Sequence, residues 1–123
     1  MIMTFAIAIT VNICFSELHL SHAQTLENIQ DLSINATDAH DPTIVLSGSN
    51  IYVMWVDFVT GNDDIFFRGS TDRGASFGNV INLSNNQGDS INPDIASTND
   101  GTAYIVWIDN TKGKSKVFFS VHR

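Results

Sequence analysis

The chain has 123 residues, 43% of them hydrophobic and 15% charged, with 13 acidic against 6 basic side chains and one cysteine. A formal net charge of −7 argues against a nucleic-acid partner or a polybasic membrane contact, because neutralising phosphates takes a clustered Lys/Arg face. The lone Cys14 excludes an internal disulfide, a cysteine-built zinc cluster and a CxxC redox pair.

Residues 1–15 hold no Asp, Glu, Lys, Arg or His and contain the apolar run Phe5-Ala6-Ile7-Ala8-Ile9, continued by Val11, Ile13, Cys14 and Phe15. This run is shorter than the roughly 20 residues that a spanning helix needs. Ser21 and Ala23 supply the small residues of a cleavage site. The expectation is a secretory signal peptide over 1–23 and a secreted, extracellular product; an N-terminal anchor that stays attached is the alternative and the sole route to a membrane. Bulky Ile13 before Cys14 does not suit a lipoprotein site. Residues 24–40 then form a lead-in in which Ile29, Leu32 and Ile34 resemble Ile81 and Leu83 further on, so an outer strand is expected near 27–37. Asn35-Ala36-Thr37 and Asn82-Leu83-Ser84 are sequons, making Asn35 and Asn82 candidates for glycosylation.

The body of the chain is an internal repeat. Asp41-Pro42-Thr43-Ile44-Val45 answers to Asn92-Pro93-Asp94-Ile95-Ala96, Ile51-Tyr52-Val53-Met54-Trp55-Val56-Asp57 to Ala103-Tyr104-Ile105-Val106-Trp107-Ile108-Asp109, and Ile65-Phe66-Phe67 to Val117-Phe118-Phe119. The spacing is 51 at the prolines and 52 afterwards, within the range of propeller blades. Strands are expected near 43–46, 51–56, 64–68 and 79–83 in the first unit (41–91), and near 94–97, 103–108 and 115–121 in the second (92–123), which is cut short. Gly-, Asn- and Ser-rich turns separate them. The runs 51–56 and 103–108 are almost continuously apolar, which predicts burial on both faces, as in stacked sheets.

After the third strand comes Ser70-Thr71-Asp72-Arg73-Gly74-Ala75-Ser76-Phe77, a Ser-x-Asp-x-Gly-x-x-Phe pattern. Asp72 can accept backbone N–H bonds across the turn, Gly74 can adopt a left-handed conformation, the Ser70 hydroxyl can tie the loop ends, and Phe77 can cover the hairpin base. His122 stands in the second repeat where Ser70 stands in the first.

This pattern, inside a blade-length repeat, resembles the Asp-box or BNR repeat of sialidase-type β-propellers. The resemblance covers about residues 37–123. It implies an all-β chain of four-stranded antiparallel blades, about two of them, short of the 4 to 8 that close a propeller. The Asp-box is structural in that family. Sialidases of this fold act through an arginine triad, a tyrosine nucleophile assisted by a glutamate, and an aspartate acid/base, and none of these carries over. The basic residues after the signal are Arg68, Arg73 and Arg123 with three lysines, and the one glutamate there is Glu27. The resemblance therefore implies a non-catalytic structural or carbohydrate- or protein-binding module, without a cofactor. The competing reading is part of an exo-sialidase or related glycoside hydrolase completed elsewhere. Exposed blade faces bearing Tyr52, Trp55, Tyr104 and Trp107 would favour self-association or a companion propeller chain.

Other groupings are weaker. Asp57, Asn62, Asp63 and Asp64 crowd one hairpin and offer oxygen ligands to calcium, but a solvated acidic turn is the favoured reading. His40-Asp41 beside Pro42 reads as a strand-entry turn ahead of an acid/base pair. Trp55 and Trp107 read as core ahead of sugar-stacking platforms, and Lys112, Lys114 and Lys116 as a hairpin tip. An immunoglobulin-like module would need seven strands in Greek-key order.

Overall fold

The computed structural model describes residues 29–123. The expected signal peptide, Cys14 and Glu27 lie outside the described residues. Seven strands and no helix are found among them: β1 (Ala39–Ser47), β2 (Asn50–Asp57), β3 (Asp64–Ser70), β4 (Ile81–Asn82), β5 (Ser90–Ser97), β6 (Ala103–Asp109) and β7 (Lys116–His122). They form two antiparallel sheets, ordered β1-β2-β3-β4 and β5-β6-β7. Every sheet neighbour is also a sequence neighbour, so the seven strands are two meanders and not the Greek key of an immunoglobulin domain. Residues 29–38 form bends and turns and no strand.

The repeat in sequence is a repeat in register. Met54, Trp55 and Val56 pair with Phe67, Phe66 and Ile65, as Val106, Trp107 and Ile108 pair with Phe119, Phe118 and Val117. The change of spacing from 51 to 52 has a local cause. Ser47 pairs with Asn50 across a two-residue turn, whereas Thr98 N–H closes on the Thr102 carbonyl at 2.9 Å around three residues. The one extra residue is absorbed in that loop.

Both prolines lie inside strands. β1 slips register between His40 and Thr43, and β5 between Ile91 and Asp94, so the pairs Asp41-Pro42 and Asn92-Pro93 each bulge opposite one tryptophan. Asp41 (φ 48°) and Asn92 (φ 54°) take left-handed conformations there, which short polar side chains tolerate, and proline has no N–H to lose from the ladder. The strand entry expected at His40-Asp41 is therefore a bulge within a longer strand. β1 begins at Ala39 and β5 at Ser90.

Side-chain alternation gives each sheet two faces. One face of the first sheet, with Tyr52, Met54, Val56, Ile65 and Phe67, packs against the opposite-parity face of the second, with Ile95, Ala103, Ile105 and Trp107. Each large apolar side chain sealed here contributes roughly 1.5–3 kcal/mol. Burial on both faces holds for β2 around Met54, Trp55 and Val56 but fails for β6, where Tyr104 and Val106 are exposed. The same apolar pattern meets a covering layer on one sheet and solvent on the other. Of the four aromatic residues expected to be exposed, only Tyr104 is so; Tyr52, Trp55 and Trp107 are buried.

Candidate functional site

The Ser70–Phe77 hairpin holds itself together by a compact set of bonds. Ser70 ends β3 and is buried. Its hydroxyl accepts from the Gly74 N–H (2.9 Å) and the Asp72 N–H (3.3 Å) while donating to Asp72 Oδ1 (2.7 Å), which uses its one donor and both acceptor positions. Asp72 also receives the Ser76 N–H (2.8 Å) and the Ser76 hydroxyl (2.6 Å). These donors, the Ser76 hydroxyl first, hold the Asp72 carboxyl down to about 2. The chain reverses through Arg73 (φ 60°) and Gly74 (φ 86°); a Cβ at Gly74 would only touch Ile51 Cδ1, at 3.4 Å, so it is the conformation that asks for glycine. Phe77 is half-buried beside it. The sequence had missed Ser76, which supplies two of the bonds to Asp72. Small polar residues four apart across an Asx turn were the available signal.

The acidic hairpin of the first repeat is built into the fold. Asp57 is buried and accepts from the N–H groups of Thr37 (3.1 Å), Asp38 (3.4 Å) and Val59 (3.0 Å). Asp64, also buried, receives the Thr60 hydroxyl (2.7 Å), the Asn82 amide (2.9 Å) and the Ser84 hydroxyl (2.7 Å). Asn62 donates to the Gly88 carbonyl at 2.7 Å, and Asp63 faces His40 Nε2 at 3.6 Å. The favoured reading of a solvated turn thus fails for Asp57 and Asp64, whose oxygens are taken by protein donors. Among the described residues no group of three or more His, Cys, Asp or Glu side chains is placed to hold a metal. Asp109 repeats the role of Asp57, binding Thr111 N–H, the Ser90 hydroxyl and the Asn86 amide. Burial works against its ionisation, yet these donors prevail and its carboxyl lies below the usual range.

Of the two sequon asparagines, Asn35 is exposed on a turn (φ 69°). Asn82 is half-buried in β4 with its amide donated to Asp64; a glycan on that nitrogen would break the bond. His40 Nδ1 lies 3.3 Å from Asp41 Oδ2. Burial disfavours its cation, but the bond to Asp41 and the charges of Asp63 and Asp41 outweigh this and raise its pKa.

The two sheets are laced at their hairpin tips. The Tyr52 hydroxyl donates to the Gly101 carbonyl (2.6 Å), the Ser47 hydroxyl to the Thr98 carbonyl (2.5 Å) and the Ser97 hydroxyl to the Leu46 carbonyl (3.2 Å). Gly101 (φ 87°) has a backbone conformation that side chains rarely adopt, and a Cβ there would also have to displace the Asn50 amide, 2.5 Å away. Beside this seam opens a cleft of about 390 Å³. Its floor is aromatic: His122 packs edge-on against Tyr52, with ring centroids 5.6 Å apart, and tilted over Phe67 at 4.9 Å. Asn50, Asn79, Asp100 and Arg123 stand around it. Sequence reasoning noted His122 only as a departure from serine; its register partner Ala103 places it where Ser70 stands in the first sheet, but turned into the seam.

Comparison with protein-family models, curated proteins and solved structures yields no match. The three arginines, to which no sialidase role carries over, have separate settings. Arg68 donates to the carbonyls of Gly78 (2.6 Å) and Leu32 (3.2 Å), Arg73 sits in the hairpin turn with its N–H on the Ser49 carbonyl (2.9 Å), and Arg123 lies at the cleft. Trp55 and Trp107 are buried, each with an unpaired indole N–H. Since Trp107 is sealed between the sheets, that unpaired group is a property of the repeat and does not mark a ligand.

Proposed function

We propose that this chain is an exported, non-catalytic Asp-box repeat protein whose sheets are sialidase-like propeller blades and whose role is binding, with a saccharide as ligand in the seam cleft. The observation that carries the reading is the cleft itself. His122, half-buried and packed on the buried rings of Tyr52 and Phe67, offers one ring to the cleft, and with the amide and charged groups Asn50, Asn79 and Arg123 it combines an apolar surface with the oriented hydrogen bonding that a sugar ring needs. The self-contained bonding of Ser70, Asp72 and Gly74 supports a structural role for the Asp-box. Arg68 is committed to the Gly78 and Leu32 carbonyls and Arg73 lies in the hairpin turn, which favours binding over hydrolysis.

The test is a titration of the full chain with mono- and disaccharides, sialylated ones included, followed by NMR of the His122 ring and Arg123 backbone. Binding is expected to shift these signals, and His122→Ala with Arg123→Ala to weaken it about tenfold. Release of product from a fluorogenic sialoside by the chain alone would overturn the non-catalytic reading, and absence of any shift across the panel would overturn the saccharide.

A further inference from the structure

The two sheets stack in one direction. The face of the first that carries Ile65 and Phe67 is covered by the second sheet, and these side chains are 0% and 1% exposed. The register-equivalent face of the second sheet carries Tyr104, Val106, Val117 and Phe119, with Val117 76% and Phe119 61% exposed. The outer edges differ in the same sense. β3 is paired by β4, but β7 has no strand beyond it among the described residues.

The lead-in is the counterpart of what β7 lacks. Asp31-Leu32-Ser33 answers to Asn82-Leu83-Ser84 at the spacing of 51. In the first sheet those three residues fasten the fourth strand: Leu83 N–H donates to the Ile65 carbonyl (2.7 Å), and Asn82 and Ser84 both bond Asp64. The lead-in already lies against the first sheet, through Arg68 to the Leu32 carbonyl and Gln30 to the Gly74 carbonyl (3.3 Å), yet pairs with no strand. Among the described residues, β7 is thus an edge to which no strand is paired, and residues 31–33 carry a fourth-strand sequence that is paired to no strand.

We propose that residues 30–33 of one copy pair with β7 of a second copy, while the exposed apolar face of the second sheet packs on that neighbour's first sheet. The observed register of β3 and β4 sets Asp31 opposite Phe118 and Gln30 opposite Phe119. The Asn82–Asp64 contact becomes Asp31 against Lys116: both members of the pair have changed, to opposite charges. The surroundings match. Lys112, Lys114 and Lys116 are all the lysines of the chain and line a hollow of about 220 Å³ with Phe118, while residues 30–41 bring Asp31, Asp38 and Asp41 against one basic side chain, His40, itself beside Asp41. The contact is heterologous, so it propagates head to tail into a ring or an open chain. It rests on the repeat and the stacked sheets alone, not on saccharide binding.

Light scattering after size exclusion of the full chain, over a range of concentrations, is expected to show association. Lys116→Asp and Asp31→Lys should each raise the dissociation constant by roughly tenfold or more through like-charge contact, with circular dichroism unchanged because both side chains are exposed. Combining both changes in one chain should restore the wild-type mass, and mixing the two variants in equal amounts should restore association in alternating order. Phe119→Glu, on the apolar face, should also disperse the assembly. A monomer at every concentration, association indifferent to the charge reversals, as contact through residues 1–28 would be, or reversal without rescue would each overturn the proposal.

Discussion

The two sheets share their strand registers, their Asx-Pro bulges and their stacked Trp–Phe pairs, Trp55 on Phe66 with centroids 6.1 Å apart and Trp107 on Phe118 at 5.8 Å, but bury these residues to different extents. Phe66 is 9% exposed and Phe118 39%. Internal pairing within a meander is therefore encoded in each repeat alone, whereas burial depends on what lies across the sheet. The first sheet has the lead-in near one face and a second sheet on the other; among the described residues the second sheet has one covered face.

The contrast can be broken most sharply at equivalent phenylalanines. Phe67→Ala should cost about 3–5 kcal/mol by leaving a cavity between the sheets, and Phe119→Ala in the monomeric background of Lys116→Asp less than ~1 kcal/mol, as read from urea unfolding midpoints at unchanged slope. Equal losses at the two positions would mean that the exposed face is covered in the isolated chain. Next in size, Ser70→Ala strands the Asp72 and Gly74 N–H groups and should cost about 1–3 kcal/mol. His122→Ala, at the matching position of the second sheet, leaves no backbone donor unpaired and should cost less. Tyr52→Phe removes the bond that laces the sheets and should cost about 1 kcal/mol, with protection of the Gly101 region against hydrogen exchange falling before that of β2.

The smallest effect concerns acid. The folded Asp72 carboxyl titrates at about 2, below its ordinary 3.8, so its stabilising effect is present above the ordinary value and lost as pH falls through about 2. Asp72→Asn should therefore be the less stable protein at neutral pH, and the gap to wild type should close between pH 4 and 2. A gap independent of pH would show that the charge of Asp72 is not what holds the hairpin.

Features made by neighbours along the chain were legible in sequence. The strands of both repeats follow from apolar runs bounded by turn residues, and the Ser70, Asp72 and Gly74 roles from turn chemistry over eight residues. Features made by distant residues were not. The 51-to-52 change gave no hint that its extra residue shapes the loop whose Gly101 carbonyl receives Tyr52. His122 and Arg123 read as a strand terminus because the cleft they help form exists only once one sheet lies on the other. Pro42 and Pro93 were taken to begin strands, since a proline's cost to a ladder is visible in sequence while a bulge that removes the cost is not. The buried settings of Asp57 and Asp64 were hidden for the same reason: beside Val59 and Thr60 of the hairpin itself, their donors come from Thr37, Asp38, Asn82 and Ser84, well outside it.

The proline bulges also bear on misassembly. β1 and β5 each stand at an edge of their sheet, and a bulge with a residue that cannot donate makes such an edge a poor template for another strand. β7 has neither device. It offers Val117-Phe118-Phe119 on an open rim, a short segment of high β propensity of the kind that stacks into cross-β fibrils. The lysines clustered just before it act as gatekeepers, so neutralising Lys112, Lys114 and Lys116 by acetylation should turn this rim into the site where fibrils nucleate, detected by thioflavin fluorescence, with Pro42 and Pro93 keeping the opposite edges silent.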